Sequence, residues 1–120
     1  MTGLTAFFPT CDLAACRRFY TGALGLSLRQ EGEGQFIVDT GRGCLGFVDY
    51  GDGRPLAQGV CLSFDCADQT EVDAVYARLQ AAGLPTLGEG PCHHPRFPVY
   101  SFFLKDPNGY TLEFQKIDGE

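Results

Sequence analysis

The 120-residue sequence contains no tryptophan, one methionine, two histidines and only nine basic residues. Fifteen acidic residues give a formal net charge of −6, which argues against a large nucleic-acid-binding surface. No apolar run approaches the roughly 20 residues of a membrane helix. The first residues also lack the basic and apolar segments of a secretory signal. We therefore expect a cytoplasmic protein that binds neither nucleic acid nor a membrane.

The six cysteines do not form a Cys-x-x-Cys pair, and no secretory signal points to an oxidising compartment. We expect most of them to be free thiols that act as small apolar side chains. The alternative is a structural zinc site. The cysteines are Cys11, Cys16, Cys44, Cys61, Cys66 and Cys92.

One order of predicted elements, β-α-β-β-β, occurs twice along the chain. Helical spacing of apolar residues predicts a helix from Asp12 to Gly25 and another over 72–82 that ends at Gly83. A single domain over 1–120 follows, with module 1 at about 1–54, a linker at about 51–57 and module 2 at about 58–117. The predicted strands are 4–9, 26–31, 35–40, 44–50, 58–65, a weak strand at 85–89, 97–105 and 110–117.

Alternation along these strands predicts two kinds of sheet face. One face of each sheet is apolar and should pack under the helices, whereas the other carries smaller and more polar side chains. The predicted fold class is α+β, with two βαβββ modules that form paired curved mixed sheets around a cleft and helices on the outside. Small molecules tend to bind in such clefts.

The segment from Phe102 to Phe114 predicts a closing hairpin. Pro107 and Asn108-Gly109 provide the turn. The last strand then places Glu113 on the face opposite Leu112 and Phe114. A carboxylate there needs water, a partner or a metal ion to remain charged.

These motifs resemble the vicinal-oxygen-chelate superfamily, which includes glyoxalases, bleomycin-resistance proteins and extradiol dioxygenases. The resemblance implies the paired-module fold and a homodimer, but it does not fix the activity. It is carried by Asp12-Leu13, Phe19-Tyr20, Leu24-Gly25-Leu26 and Asp106-Pro107-Asn108-Gly109 with Glu113.

In the glyoxalase arrangement, the resemblance implies metal ligands on four strands: His or Gln, then Glu, His and Glu. Only Glu113 matches this set. The first position falls on Thr5, the second near Leu45 or Phe47, and the third on Gly59 or Cys61. Since Mn, Fe, Ni and Mg favour carboxylates and imidazoles, we expect no metal and no other cofactor.

An alternative metal site would combine Glu113 with His93 or His94, which follow Cys92 between two prolines, and would take Cys61 as a further ligand. Adjacent residues of a strand face opposite ways, so both histidines reach one ion only if the loop folds tightly. Otherwise this is an exposed loop at the mouth of the cleft, with one histidine directed toward a ligand.

Three functions remain open at this point. The first is metal-independent binding of a small molecule, either a drug or a metabolite. The second is a metal-dependent lyase, isomerase or dioxygenase with Glu113 as its catalytic base, and the third is a non-catalytic structural member. Cys61 would be a nucleophile only if its pKa were lowered. The predicted cleft residues are Thr5, Phe7, Phe47, Cys61, His93, His94, Arg96, Ser101, Phe103 and Glu113.

Overall fold

A computed structural model describes residues 1–120, which form two compact units, Met1–Gly59 and Val60–Glu120. The first unit contains strand β1, helix α1 followed by a π-helical turn, and strands β2 to β4. The second contains β5, α2 and β6 to β8. The bounds are β1 Thr5–Pro9, α1 Leu13–Arg18, the π-helical turn Phe19–Ala23, β2 Ser27–Gly32, β3 Gln35–Asp39, β4 Cys44–Val48, β5 Cys61–Asp65, α2 Gln69–Ala81, β6 Cys92–His93, β7 Val99–Lys105 and β8 Thr111–Ile117.

Each unit has one mixed four-stranded sheet, and the two sheets share one topology. The strand orders are β1-β4-β3-β2 and β5-β8-β7-β6. In both, the first strand runs parallel to its neighbour and the remaining pairs are antiparallel. The predicted α+β class and its two βαβββ modules are therefore confirmed. Neither helix is long and apolar enough to cross a membrane.

Helix α1 begins as its sequence predicts and ends in a way that the sequence did not reveal. The Asp12 carboxylate accepts a hydrogen bond from the Ala15 N–H at 3.0 Å, which is a standard N-cap. After Arg18 the chain widens into a π-helical turn, in which the Leu24 N–H donates to the Phe19 carbonyl at 2.9 Å. The Phe19 and Tyr20 side chains are both buried there. Gly25 then leaves the helix with a φ of 69°, a conformation that glycine adopts without strain.

Aromatic rings form the core of the first unit. Phe47 is fully buried and lies 4.4 Å from Tyr20 and 5.4 Å from Phe36, measured between ring centroids. The prediction that Phe47 shares a face with Phe7 is wrong, because the register pairs Phe7 with Gly46 and Phe8 with Phe47.

The same register places Leu45 on the helix side, opposite Ala6. The β4 residues that share the face of Thr5 and Phe7 are therefore Cys44 and Gly46. Strand β4 is apolar on both faces, so alternation of polarity could not assign its orientation.

The core of the second unit follows the predicted alternation. Phe114 stacks on Phe64 and on Phe102, with centroids 4.9 Å and 5.3 Å apart. Tyr76 of α2 meets the Phe102 ring edge-on at 5.1 Å. The face of this sheet that bears Leu112 and Phe114 is thus the one under the helix.

The weak strand predicted over 85–89 is wrong. That segment is a loop that lies along β7, where the Thr86 hydroxyl bonds both the carbonyl and the N–H of Lys105. Pro85 has no N–H to donate. At the next position the Thr86 hydroxyl, and not the Thr86 backbone, bonds Lys105, so a regular ladder with β7 does not form. The fourth strand is β6, within the segment that had been predicted as a loop.

Candidate functional site

Glu113 lies in the middle of the second sheet. Strand β8 runs between β5 and β7, so Glu113 is flanked in the ladder by Ser63 and Phe103. Its side chain is only 8% exposed. Its neighbours Leu112 and Phe114 point to the helix side, so the predicted orientation of Glu113 toward the other face is confirmed.

The hydrogen-bond partner of Glu113 is the Ser63 hydroxyl, which donates to its Oε1 atom. Neither of the two salt bridges of the chain, Arg17–Glu31 and Arg54–Asp52, involves Glu113. A carboxylate has about four acceptor positions, so this one retains capacity for a further donor. Sequence alternation had already placed Ser63 on this face, but only the strand register shows that it meets Glu113.

Cys61 lies on the same face, beside Thr111 in the ladder. Partial burial raises the pKa of the Cys61 thiol, and the negative charge of Glu113 raises it further, while a hydrogen bond with Ser63 lowers it. The thiolate is the nucleophilic form, so a raised pKa disfavours the role of a reactive cysteine.

This arrangement predicts how the reactivity of Cys61 depends on pH. Glu113→Gln removes a negative charge, so we expect the pKa of Cys61 to fall and its alkylation at pH 8 to accelerate. Mass-spectrometric rates with iodoacetamide across pH 7 to 10 would check this, with Cys11 of the first unit as an internal control. An unchanged or slower Cys61 rate in the variant would contradict the assignment.

The two histidines, of which His93 ends β6 and His94 follows it, point to opposite sides of the second sheet. The His93 ring is 5.2 Å from the Tyr100 ring, and the Tyr100 hydroxyl donates to Asp73 of α2 at 2.6 Å, so His93 is on the helix side. His94 instead approaches Phe103, with ring centroids 6.4 Å apart. Its Nδ1 atom accepts the N–H groups of Arg96 at 3.0 Å and Phe97 at 3.1 Å.

These positions do not fit the divalent metal ion that the resemblance implies. No group of three or more His, Cys, Asp or Glu side chains is placed to hold an ion. Glu113, His93 and His94 do not all come together, because His93 faces the helix and only His94 lies on the side of Phe103. The polar side chains of β5 on the Glu113 face are the Ser63 hydroxyl and the Cys61 thiol, whose pKa is raised, and both are poor ligands for hard cations.

The other predicted cleft residues belong to two separate sheets. On the Glu113 face, Phe103 is 37% exposed and Ser101 is buried between Cys92 and Gln115 in the ladder. Arg96 lies near this sheet with its guanidinium 5.2 Å from the centre of the Phe97 ring. In the first unit, Thr5 and Phe7 share one face of β1. Their roles in ligand binding stay predictions.

Solved structures of similar fold support the architecture. A glyoxalase/bleomycin resistance protein/dioxygenase from Nocardioides is 22% identical, with a TM-score of 0.78 over 100% of this chain and 85% of that chain. Lactoylglutathione lyase from Agrobacterium tumefaciens is 25% identical, with a TM-score of 0.77 over 97% of this chain and 94% of that chain. A glyoxalase/bleomycin resistance protein/dioxygenase from Alicyclobacillus acidocaldarius is 21% identical, with a TM-score of 0.77 over 97% and 91%.

Among curated proteins, none matches this sequence significantly. The sequence model of one family does match, over residues 4–114, which is nearly the whole chain. That match includes both modules and ends just after Glu113. The chain therefore belongs to the glyoxalase/bleomycin resistance protein/dioxygenase superfamily.

Proposed function

We propose that this protein binds a small organic molecule without a metal ion, on the face of the second sheet that carries Glu113. The main support is the environment of that carboxylate. It is 8% exposed, its hydrogen-bond partner is the Ser63 hydroxyl, and it belongs to no group of three or more His, Cys, Asp or Glu side chains that could hold a metal ion. A buried carboxylate in this position is suited to accept a hydrogen bond from a ligand.

The neighbouring side chains favour a flat ligand that carries a positive charge. Phe103 lies directly beside Glu113 in the ladder and keeps 37% of its surface exposed, so an aromatic ring can stack on it. The net charge of −6 also favours the approach of cations. Cationic aromatic drugs, including bleomycin, and cationic metabolites of similar shape form the proposed ligand class.

Calorimetric titration tests this proposal. We expect saturable heat with at least one member of a panel of aromatic cations that includes bleomycin. In Glu113→Gln the affinity should fall about tenfold or more, because a charge-assisted hydrogen bond is lost. Glu89→Gln is the matched control, since Glu89 is exposed in the same unit and makes no side-chain hydrogen bond. Its affinity should match that of the wild type at equal ionic strength.

Two results would reject the proposal. No heat across the whole panel would exclude this ligand class. Equal affinities for Glu113→Gln and Glu89→Gln would exclude Glu113 as a contact, even if a ligand binds elsewhere.

A second candidate function is a metal-dependent lyase or isomerase with an unusual ligand set and Glu113 as its base. Its support is the 25% identity to lactoylglutathione lyase together with a glutamate on the last strand. Elemental analysis of protein purified without chelators separates the two functions. Stoichiometric metal that is lost in Glu113→Gln would favour the enzyme, whereas trace metal in both proteins would favour the binding protein.

A further inference from the structure

The first unit contains a cavity of about 320 Å³, and Glu113 is not among the residues that line it. It lies where the start of β1 meets the beginning of β2 and the hairpin between β3 and β4. Every residue around it belongs to the segment 2–44, so the first unit builds it alone. The lining residues that matter are Thr5, Arg29, Asp39, Arg42, Gly43 and Cys44.

Arg29 reaches this cavity because of an irregularity in β2. The pairing with β3 shifts between Leu28 and Gln30, which leaves Arg29 as an extra residue. Such bulges redirect side chains. The Arg29 Nη1 atom donates to the Thr5 hydroxyl at 3.4 Å and to the Cys44 sulfur at 3.2 Å. A guanidinium is thus held at the cavity without a carboxylate partner.

Arg42 supplies a second guanidinium from the β3–β4 hairpin, and it makes no hydrogen bond or ion pair. The one acidic side chain in the lining is Asp39, whose Oδ1 atom accepts the Gly41 N–H at 2.7 Å. The cavity therefore has two arginines against one aspartate, in a chain whose net charge is −6. The cavity lining is therefore net positive, although the protein as a whole is net negative.

We propose that this cavity is a binding site for a small anionic molecule that carries a carboxylate or a phosphate group. The planar fork of a guanidinium matches the oxygens of either group and can bind them through two parallel hydrogen bonds. The volume lies near the lower end of the roughly 300 to 1,000 Å³ found for ligand pockets, which favours a small ligand. The Thr5 hydroxyl is an additional donor at the cavity wall.

Nuclear magnetic resonance titration of the ¹⁵N-labelled full chain tests the site. The probes are inorganic phosphate in one arm and succinate in the other, at constant ionic strength, with sodium chloride as the reference salt. We expect saturable shifts of the Gly43 and Cys44 amides and of the Arg29 Nε–H with at least one probe. Saturation by phosphate alone, by succinate alone or by both would support the site and identify the preferred group.

Three variants show whether the arginines are responsible. Arg29→Gln and Arg42→Gln should each weaken binding about tenfold. Arg18→Gln removes the same charge from an exposed position on α1 and should leave the affinity unchanged. Arg42 makes no hydrogen bond or ion pair within the protein, so Arg42→Gln should not change its stability. This variant therefore keeps the test valid even if Arg29→Gln is unstable.

The proposal is overturned if shifts with both probes match those with sodium chloride, or if Arg42→Gln binds as tightly as Arg18→Gln. Glu113→Gln should leave anion binding intact, because Glu113 is not among the residues that line the cavity. Failure of the anion site and failure of the proposed cation site are therefore separate results.

Discussion

Replacing Phe47 with alanine is expected to lower the free energy of unfolding by about 3 to 5 kcal/mol. The Phe47 side chain is fully buried and contacts the rings of Tyr20, Phe36 and Phe8. Truncation removes this contact area and leaves a cavity between strand β4 and the π-helical turn. Because domains are stable by only about 5 to 15 kcal/mol, the variant should lose a large share of its stability.

Urea unfolding followed by far-ultraviolet circular dichroism would measure this loss. Phe7→Ala is the matched control, since Phe7 lies on the opposite face of the same sheet and is 50% exposed. We expect that variant to lose only about 1 to 2 kcal/mol, because half of the Phe7 surface remains in water after folding. Equal losses in the two variants would contradict the assignment of Phe47 to the core.

Replacing Asp106 with alanine is expected to cost about 2 to 4 kcal/mol of stability, since each buried donor that it leaves unpaired costs about 1 to 3 kcal/mol. Asp106 is 4% exposed, and its Oδ1 atom accepts the N–H groups of Asn108 at 2.8 Å and Tyr110 at 2.9 Å. Its Oδ2 atom accepts the Asn108 side-chain amide at 3.0 Å. Both backbone donors belong to the turn that aligns β7 with β8.

Asp106→Asn is the conservative comparison, because its amide oxygen can still accept both backbone N–H groups. The free energy of unfolding should fall less than half as much in Asp106→Asn as in Asp106→Ala. Thermal unfolding would measure the stabilities of the wild type, Asp106→Asn and Asp106→Ala, which should decrease in that order. Hydrogen exchange at the Tyr110 amide would serve as a local probe. If alanine and asparagine were equivalent, the two backbone hydrogen bonds would not be the source of the effect.

The closing hairpin illustrates what the sequence can predict. Pro107 and Asn108-Gly109 have strong local preferences for a turn, and the apolar residues Leu112 and Phe114 alternate with Glu113, so the face of the carboxylate could be assigned. Neither signal depends on distant parts of the chain. The same holds for the Asp12 cap and for Gly25, whose conformations are set within a few residues.

Features that depend on pairing between distant strands could not be predicted in this way. The apolar pattern of β4 is compatible with either face, so Phe47 was assigned to the wrong one. The contact between Ser63 and Glu113 requires the register of β5 against β8. The position of Arg29 arises from a bulge that has no sequence signal. The homodimer and the small-molecule ligand stay predictions.

The strand order of each unit has a consequence for how the chain folds. The first strand of each module pairs with the last, so that Thr5 meets Cys44 and Cys61 meets Thr111. Such non-local parallel pairing requires closure of a long loop before the contacts can form, which slows folding. During synthesis, β5 therefore has no strand to pair with until β8 has left the ribosome. The sheet that carries Glu113 can be completed only after that.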